Sequence, residues 1–255
     1  MSVNLKAKST ITSLDEHTRR KTEVQRILEF RTSLVLDHPL HRIIGDDPER
    51  LLRMFELYAH FVYGFAAYVC NLFLALKDEA IKEVIYENLS EEMGFGMQGS
   101  ASWKNHHGEL YHQFIQSLRK THIYRELRIQ EQYPRLEGRS KVIANHFYTA
   151  HNDIVAEGND LQSLAAFSTI ECWVVDQYGF WKRSLENLGS EQSLIDTRTI
   201  DMHCVCDEEH SATLDKLIYQ KSAYGEDVLF HIKKGVVRGM LASEQIFSDI
   251  ARELV

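Results

Sequence analysis

The sequence predicts an all-α fold, one domain of seven or eight helices spanning residues 1–255. Three observations predict it. Apolar residues recur every three or four positions through nearly the whole chain, the spacing of a helix face turned to a core. Only 3 prolines and 13 glycines interrupt 255 residues. No stretch of useful length alternates apolar and polar residues as a half-buried strand would.

The first helix is expected over about residues 15–38, with Val24, Ile27, Leu28, Phe30 and Leu34 on one side. His38-Pro39 stops it, because the residue before a proline avoids the helical region. Residues 1–14 are expected to be flexible. The second helix runs from about Pro48 to Leu76, with proline placed near the first turn. It carries Phe55, Tyr58, Phe61, Tyr63, Phe65, Tyr68 and Phe73 and is apolar nearly all round, which places it centrally. A third covers about Asp78–Met93 and ends at the glycine-rich run Gly94–Gly99; a fourth covers about Trp103–His122. Glu131–Arg139, with Pro134 and Gly138, reads as a connector. Further helices follow at about 139–156, 160–188, 196–222 and 226–253, punctuated by Asn159-Asp160 and Gly189-Ser190.

A formal charge of -8 and a pI near 5.9 argue against a nucleic-acid or anionic-membrane partner, because phosphate binding needs a basic face. No apolar run approaches the roughly 20 residues of a membrane span, and the N-terminal stretch lacks an apolar signal core. The expectation is a cytoplasmic protein. Its four cysteines, Cys70, Cys172, Cys204 and Cys206, are too few for a disulfide framework at this length. Cys204 and Cys206 form a C-x-C with no second pair to complete a zinc site.

The chemistry is expected where polar groups fall on apolar faces. His203, Asp207 and His210 lie within a narrow sector of one helix, taking about 100° per residue. Two imidazoles and a carboxylate shown together suit a first-row metal; a solvated acidic face is the other reading. Glu171 is the only charged side chain in the apolar stretch Leu164–Val175. A carboxylate buried there needs a partner, which is a metal, a cation or a proton of its own. Glu92 shares a face with Ile85, Asn88 and Leu89, whereas Glu87 and Glu91 read as turned away. His107 lines up with Leu110, Tyr111 and Phe114. Together Glu92, His107, Glu171, His203, Asp207 and His210 offer three carboxylates and three imidazoles, enough for two divalent ions with open positions.

These residues resemble the haem-oxygenase-like diiron oxidases and oxygenases. Their pattern runs N-L-x-x-E-x-G-x-G, then H-x-E-L-[FY], then a lone inward Glu, then H-x-x-x-D-x-x-H. Here stand Asn88-Leu89 with Glu92-Met93-Gly94-Phe95-Gly96, His107-Gly108-Glu109-Leu110-Tyr111, Glu171, and His203, Asp207 and His210. The order agrees over about residues 50–250. One departure is a longer gap between Glu92 and His107, which leaves His106 as an alternative ligand; Glu91 is a weaker alternative to Glu92.

The resemblance implies the seven-helix fold shared with haem oxygenase and the TenA and PqqC proteins. It implies two Fe(II) ions, with manganese not distinguished by nitrogen and oxygen donors. It implies O2 as co-substrate, an external reductant, and oxidation of a small metabolite, an amine or amino acid, by N-oxygenation or C–C cleavage. A homodimer is expected from similar proteins. One branch makes p-aminobenzoate from its own tyrosine with a nearby lysine, for which Lys182 is the candidate here; some members add a carboxylate from an earlier helix, for which Glu56, with His60, is available. Tyr58, Tyr63, Tyr111, Trp173 and Tyr178 are candidates for lining a substrate pocket. A metal-independent TenA/PqqC-like enzyme using a cysteine is a further reading. A ferritin-like site is disfavoured by the absence of paired E-x-x-H among the inward groups, and haem by a charged first helix around His17.

Overall fold

The structure, a computed structural model, describes residues 18–19, 22–31, 33–95, 105–224 and 226–255; of residues 205–208, 224 and 226 it describes the backbone alone. The expected flexible segment 1–14 lies outside the described residues. Eleven α-helical segments follow one another: α1 (22–30), α2 (Ser33–Leu36), α3 (Leu40–Ile44), α4 (Pro48–Ala75), α5 (Glu79–Glu92), α6 (His107–Leu118), α7 (His122–Glu126), α8 (Ile129–Ala156), α9 (Asp160–Leu185), α10 (Arg198–Lys221) and α11 (Glu226–Leu254). Eight of them reach nine residues or more, and no strand occurs among the described residues.

Capping chemistry sets several of the boundaries. Asp47 accepts from the Glu49 and Arg50 amides at the start of α4, where Pro48 needs no amide partner. Asp78 does the same for α5 through Ala80 and Ile81, and Asn159 for α9 through Gln162. α4 is the central helix and packs against α5, α6 and α8. By length and composition alone α4 would pass as a membrane span, which corrects the sequence reading that no segment does; over half of that stretch is covered by neighbouring helices, as expected for a core helix. On the other side α9 lies between α10 and α11. There α11 comes very close: a Cβ at Gly235 would stand 2.2 Å from the Gln162 carbonyl oxygen, and one at Gly239 2.8 Å from that of Ala166.

Four sequence expectations change. The first helix is not continuous: α1 ends at residue 30 and Arg31 turns the chain. A short helix, α3, follows Pro39 where none was expected. The connector at 131–139 is helical and belongs to α8. Pro134 removes one backbone donor there, and a Cβ at Gly138 would meet nothing within 4 Å, so both breakers are tolerated. Leu136, Ser140, Ile143, Ala144 and Phe147 continue the buried face straight through them, and that burial outweighs the local propensities. The fourth helix starts at His107 and stops at Leu118; residues 103–104 lie outside the described residues.

Candidate metal centre

Four helices bring the expected donors to one place in the bundle. The last turn of α5 carries Asn88, Glu91 and Glu92, and ends as Gly94 takes φ 81. The first turn of α6 carries His107. Glu171 stands in the middle of α9, and His203 and His210 stand on α10 two turns apart. Glu92, His107, Glu171 and His203 are buried, with His203 the most accessible at 6%. Asp207 falls on the same face of α10, but its side chain lies outside the described residues.

The groups meet in a chain of contacts. His107 Nδ1 lies 2.9 Å from Glu92 Oε1. The His107 and His203 rings stand edge to face with centroids 4.9 Å apart, and Tyr178 lies against His203 at 4.4 Å. His210 Nε2 donates to Glu91 Oε2 at 2.8 Å. Its Nδ1 faces inward, 3.4 Å from Glu171 Oε2 and 3.1 Å from the Asn88 amide nitrogen. Burial works to raise the Glu92 carboxyl, yet its contact with His107 and the nearby His203 and His210 hold it below the usual carboxylate range.

Glu92, Glu171 and His203 line a cavity of about 20 Å³, room for a water-sized group. Its other walls are apolar and aromatic: Tyr58, Phe61, Val62 and Phe65 from α4, with Val174 and Tyr178 from α9. Among the described residues no three His, Cys, Asp or Glu side chains are gathered closely enough to enclose a single ion. The carboxylates and imidazoles stand instead as neighbouring acid–base pairs. The donor set nonetheless fits iron: hard carboxylates and borderline imidazoles in an apolar surround are what a divalent first-row ion takes, and Asp207 adds a third carboxylate on the same stripe. Bound there, iron would supply redox chemistry.

Several sequence candidates are placed by these contacts. His106 Nδ1 accepts from the Glu109 amide at 3.4 Å and caps α6, so its neighbour His107 is the one turned into the cluster. Glu91, read as facing away, reaches His210, because a residue three places from Asn88 shares its face as much as one four places away. Glu56 stands apart from the cluster: Arg119 grips it through Nε at 2.9 Å and Nη2 at 2.8 Å, and the Tyr124 hydroxyl donates at 2.7 Å. His60 bonds Ser140. Lys182 is half exposed and pairs with Asp201 at 2.5 Å. Of the expected pocket residues, Tyr58 and Tyr178 line the cavity. Tyr111 donates to the Phe55 carbonyl, Trp173 donates to Ser243, and Tyr63 packs on Tyr111. Cys70, Cys172 and Cys204 form no disulfide among the described residues, and none lines the cavity. Sequence reasoning missed Phe61, Val62, Phe65 and Val174 as walls; all four lie within a turn or so of residues it had singled out.

Comparisons with known proteins bear on the family and the fold. A family model described as iron-containing redox enzyme matches residues 52–238. The chain belongs to that family of iron-containing redox enzymes. The crystal structure of a CADD-like protein of unknown function from Nostoc punctiforme PCC 73102 shares the fold with a TM-score of 0.66. That match covers 92% of this chain and 99% of the other at 14% identity. No curated protein matches.

Proposed function

We propose that this protein is a non-haem diiron enzyme that uses O2 to oxidise a small metabolite, an amine or amino acid. The observation that carries the reading is the gathering of five donors from four helices: Glu92, Glu171 and His203 line one aromatic-walled cavity, and His107 and His210 stand against them. Two Fe(II) ions would be held by these residues with Asp207, and would supply electrons and Lewis acidity for O2 chemistry. An external reductant would supply the electrons that this chemistry consumes.

The rest follows from the chain's own side chains. Glu91 accepts a hydrogen bond from His210 Nε2–H and so fixes the ring with its Nδ1 facing Glu171, the orientation a ligating imidazole needs. Tyr58, Phe61, Val62 and Phe65 exclude bulk water from the reacting centre. The cavity is too small for an amino acid as it stands, so substrate binding must move these walls.

The test is anaerobic Fe(II) titration followed by mixing with O2. A transient visible absorption that disappears in His203→Ala is expected. No transient, together with iron uptake unchanged in His203→Ala and Asp207→Ala, would refute the proposal. A self-modifying p-aminobenzoate-forming role draws support from Tyr58 and Tyr178 beside the cavity, but Lys182 points to Asp201 at the surface. Peptide mass mapping of turned-over protein separates the two: an altered tyrosine favours self-modification, and an intact one with product release favours the external substrate.

A further inference from the structure

α5 and α10 pack side by side, and a pocket of about 140 Å³ lies between them. Helical spacing of three and four residues puts Glu87, Asn88 and Glu91 on one face of α5. Glu209, His210 and Thr213 face them from α10, with Val84 and Leu214 as apolar walls. Glu87 and Glu209 are exposed, and the Glu91 side chain keeps 37% of its surface open. Among the described residues no lysine or arginine lines the pocket. His210 links it to the candidate metal centre: its side chain keeps 13% of its surface open, while its Nδ1 lies 3.4 Å from Glu171 Oε2. Asn88 stands beside it, 3% exposed; its Nδ2 donates to His210 Nδ1, and its Oδ1 has no hydrogen-bond partner among the described residues. A buried carbonyl oxygen left over in this way is an acceptor open to water or a cation. The 20 Å³ cavity shares no lining residue with this pocket, and beyond its three donors its walls are apolar and aromatic. A hydrated ion crossing those walls would lose its water with nothing in exchange.

We propose that this acidic pocket is the entrance for Fe(II): it collects the hydrated cation from solution and passes it by His210 to Glu171 and the other donors. The proposal rests on the diiron reading. Fixed charges of one sign around a concave opening raise the local concentration of the opposite ion and its rate of capture. Among the described residues no three metal-binding side chains are close enough to enclose an ion, so the attraction acts through the ion's water shell and the stop is transient. Further in, waters are exchanged for carboxylate and imidazole donors, with no change in the ion's charge. Iron and an organic substrate then reach the donors from different sides, iron between α5 and α10 and substrate by the aromatic cavity.

The rate and the extent of iron uptake separate the entrance from the centre. Apo-protein is mixed anaerobically with Fe(II), and unbound iron is trapped at set times with an excess of a ferrous chelating dye. Glu87→Gln combined with Glu209→Gln is expected to slow uptake roughly 3–10-fold at low salt and to reach the same final iron content as the wild type. Both side chains are exposed, so the variant is expected to fold. Sodium chloride at about 0.3 M should slow the wild type towards the rate of the variant, since it screens the carboxylates. Glu126→Gln combined with Asp153→Asn, exposed carboxylates on α7 and α8, removes the same net charge elsewhere and is expected to leave the rate unchanged. Uptake in the Glu87 and Glu209 variant as fast as in this control overturns the proposal while the diiron reading stands. A final iron content that falls in that variant overturns it too, because its carboxylates would then be ligands. No iron uptake by the wild type would instead remove the diiron reading and this entrance with it.

Discussion

Glu56 and Glu171 are both carboxylates buried inside long helices, and they differ in what meets them. Glu56 meets a two-pronged guanidinium and a tyrosine hydroxyl. Glu171 meets the inward edge of His210 and the cavity. Glu56→Gln should therefore cost roughly 2–4 kcal/mol of stability by leaving Arg119 poorly paired, and leave iron uptake unchanged. Glu171→Gln should do the reverse, lowering iron content with a smaller loss of stability; urea unfolding and metal analysis of the two variants decide it. Glu91→Gln is expected to weaken iron affinity by about 10–100-fold without removing a ligand, measured by competition with a chelating dye. The sequence shows Glu171 plainly, because no other charge stands near it on its helix. It does not show Arg119 as the partner of Glu56, since those two come together only through the packing of α4 against α6, 63 residues apart. Glu91 was read as turned away because it is off the Ile85–Asn88–Leu89 face given to Glu92, yet it lies three places from Asn88 and reaches the same His210.

At the scale of elements, the long helices are legible because each keeps an unbroken buried stripe, and the errors fall where local punctuation opposes that stripe. Pro134 and Gly138 argue for a connector, yet α8 runs through both because its inward residues keep their spacing. Gly138 lies on an open face, so Gly138→Ala should stabilise the helix by about 0.5–1 kcal/mol. Gly235→Ala should destabilise by about 1–3 kcal/mol or more, because its Cβ would collide with the α9 backbone that carries Glu171. Tm values of the two variants, moving in opposite directions, check the pair. The break after α1 had no signal in its own periodicity. Arg31 is 2% exposed and bonds Asp215 and Ser211 on α10, a contact 184 residues away that no local pattern reports.

At the scale of the whole molecule, burial of neutral imidazole ties stability to pH. His151, fully buried with its Nδ1 3.1 Å from the Tyr68 hydroxyl, is pushed down to about 3, chiefly by burial and then by Arg238. Above pH 6.5 it is neutral in folded and unfolded chains alike and costs nothing. Below 6.5 the unfolded chain takes up a proton that the folded chain refuses, so stability falls progressively toward pH 3. Between pH 6 and 5 this one residue should remove up to about 1.4 kcal/mol per pH unit, and His151→Phe should flatten the unfolding free energy by that amount. The all-α fold was readable from the helical spacing of apolar residues, and the family from its resemblance to the motifs at Asn88–Gly96, His107–Tyr111, Glu171 and His203–His210. The central claim is that Glu92, His107, Glu171, His203, Asp207 and His210 hold two iron ions, and anaerobic Fe(II) titration followed by Mössbauer spectroscopy on the wild type and on His203→Ala tests it most directly. Two ferrous ions per chain, magnetically coupled once oxidised, and at most one in the variant are expected. One uncoupled iron in the wild type, or two in His203→Ala, would contradict it.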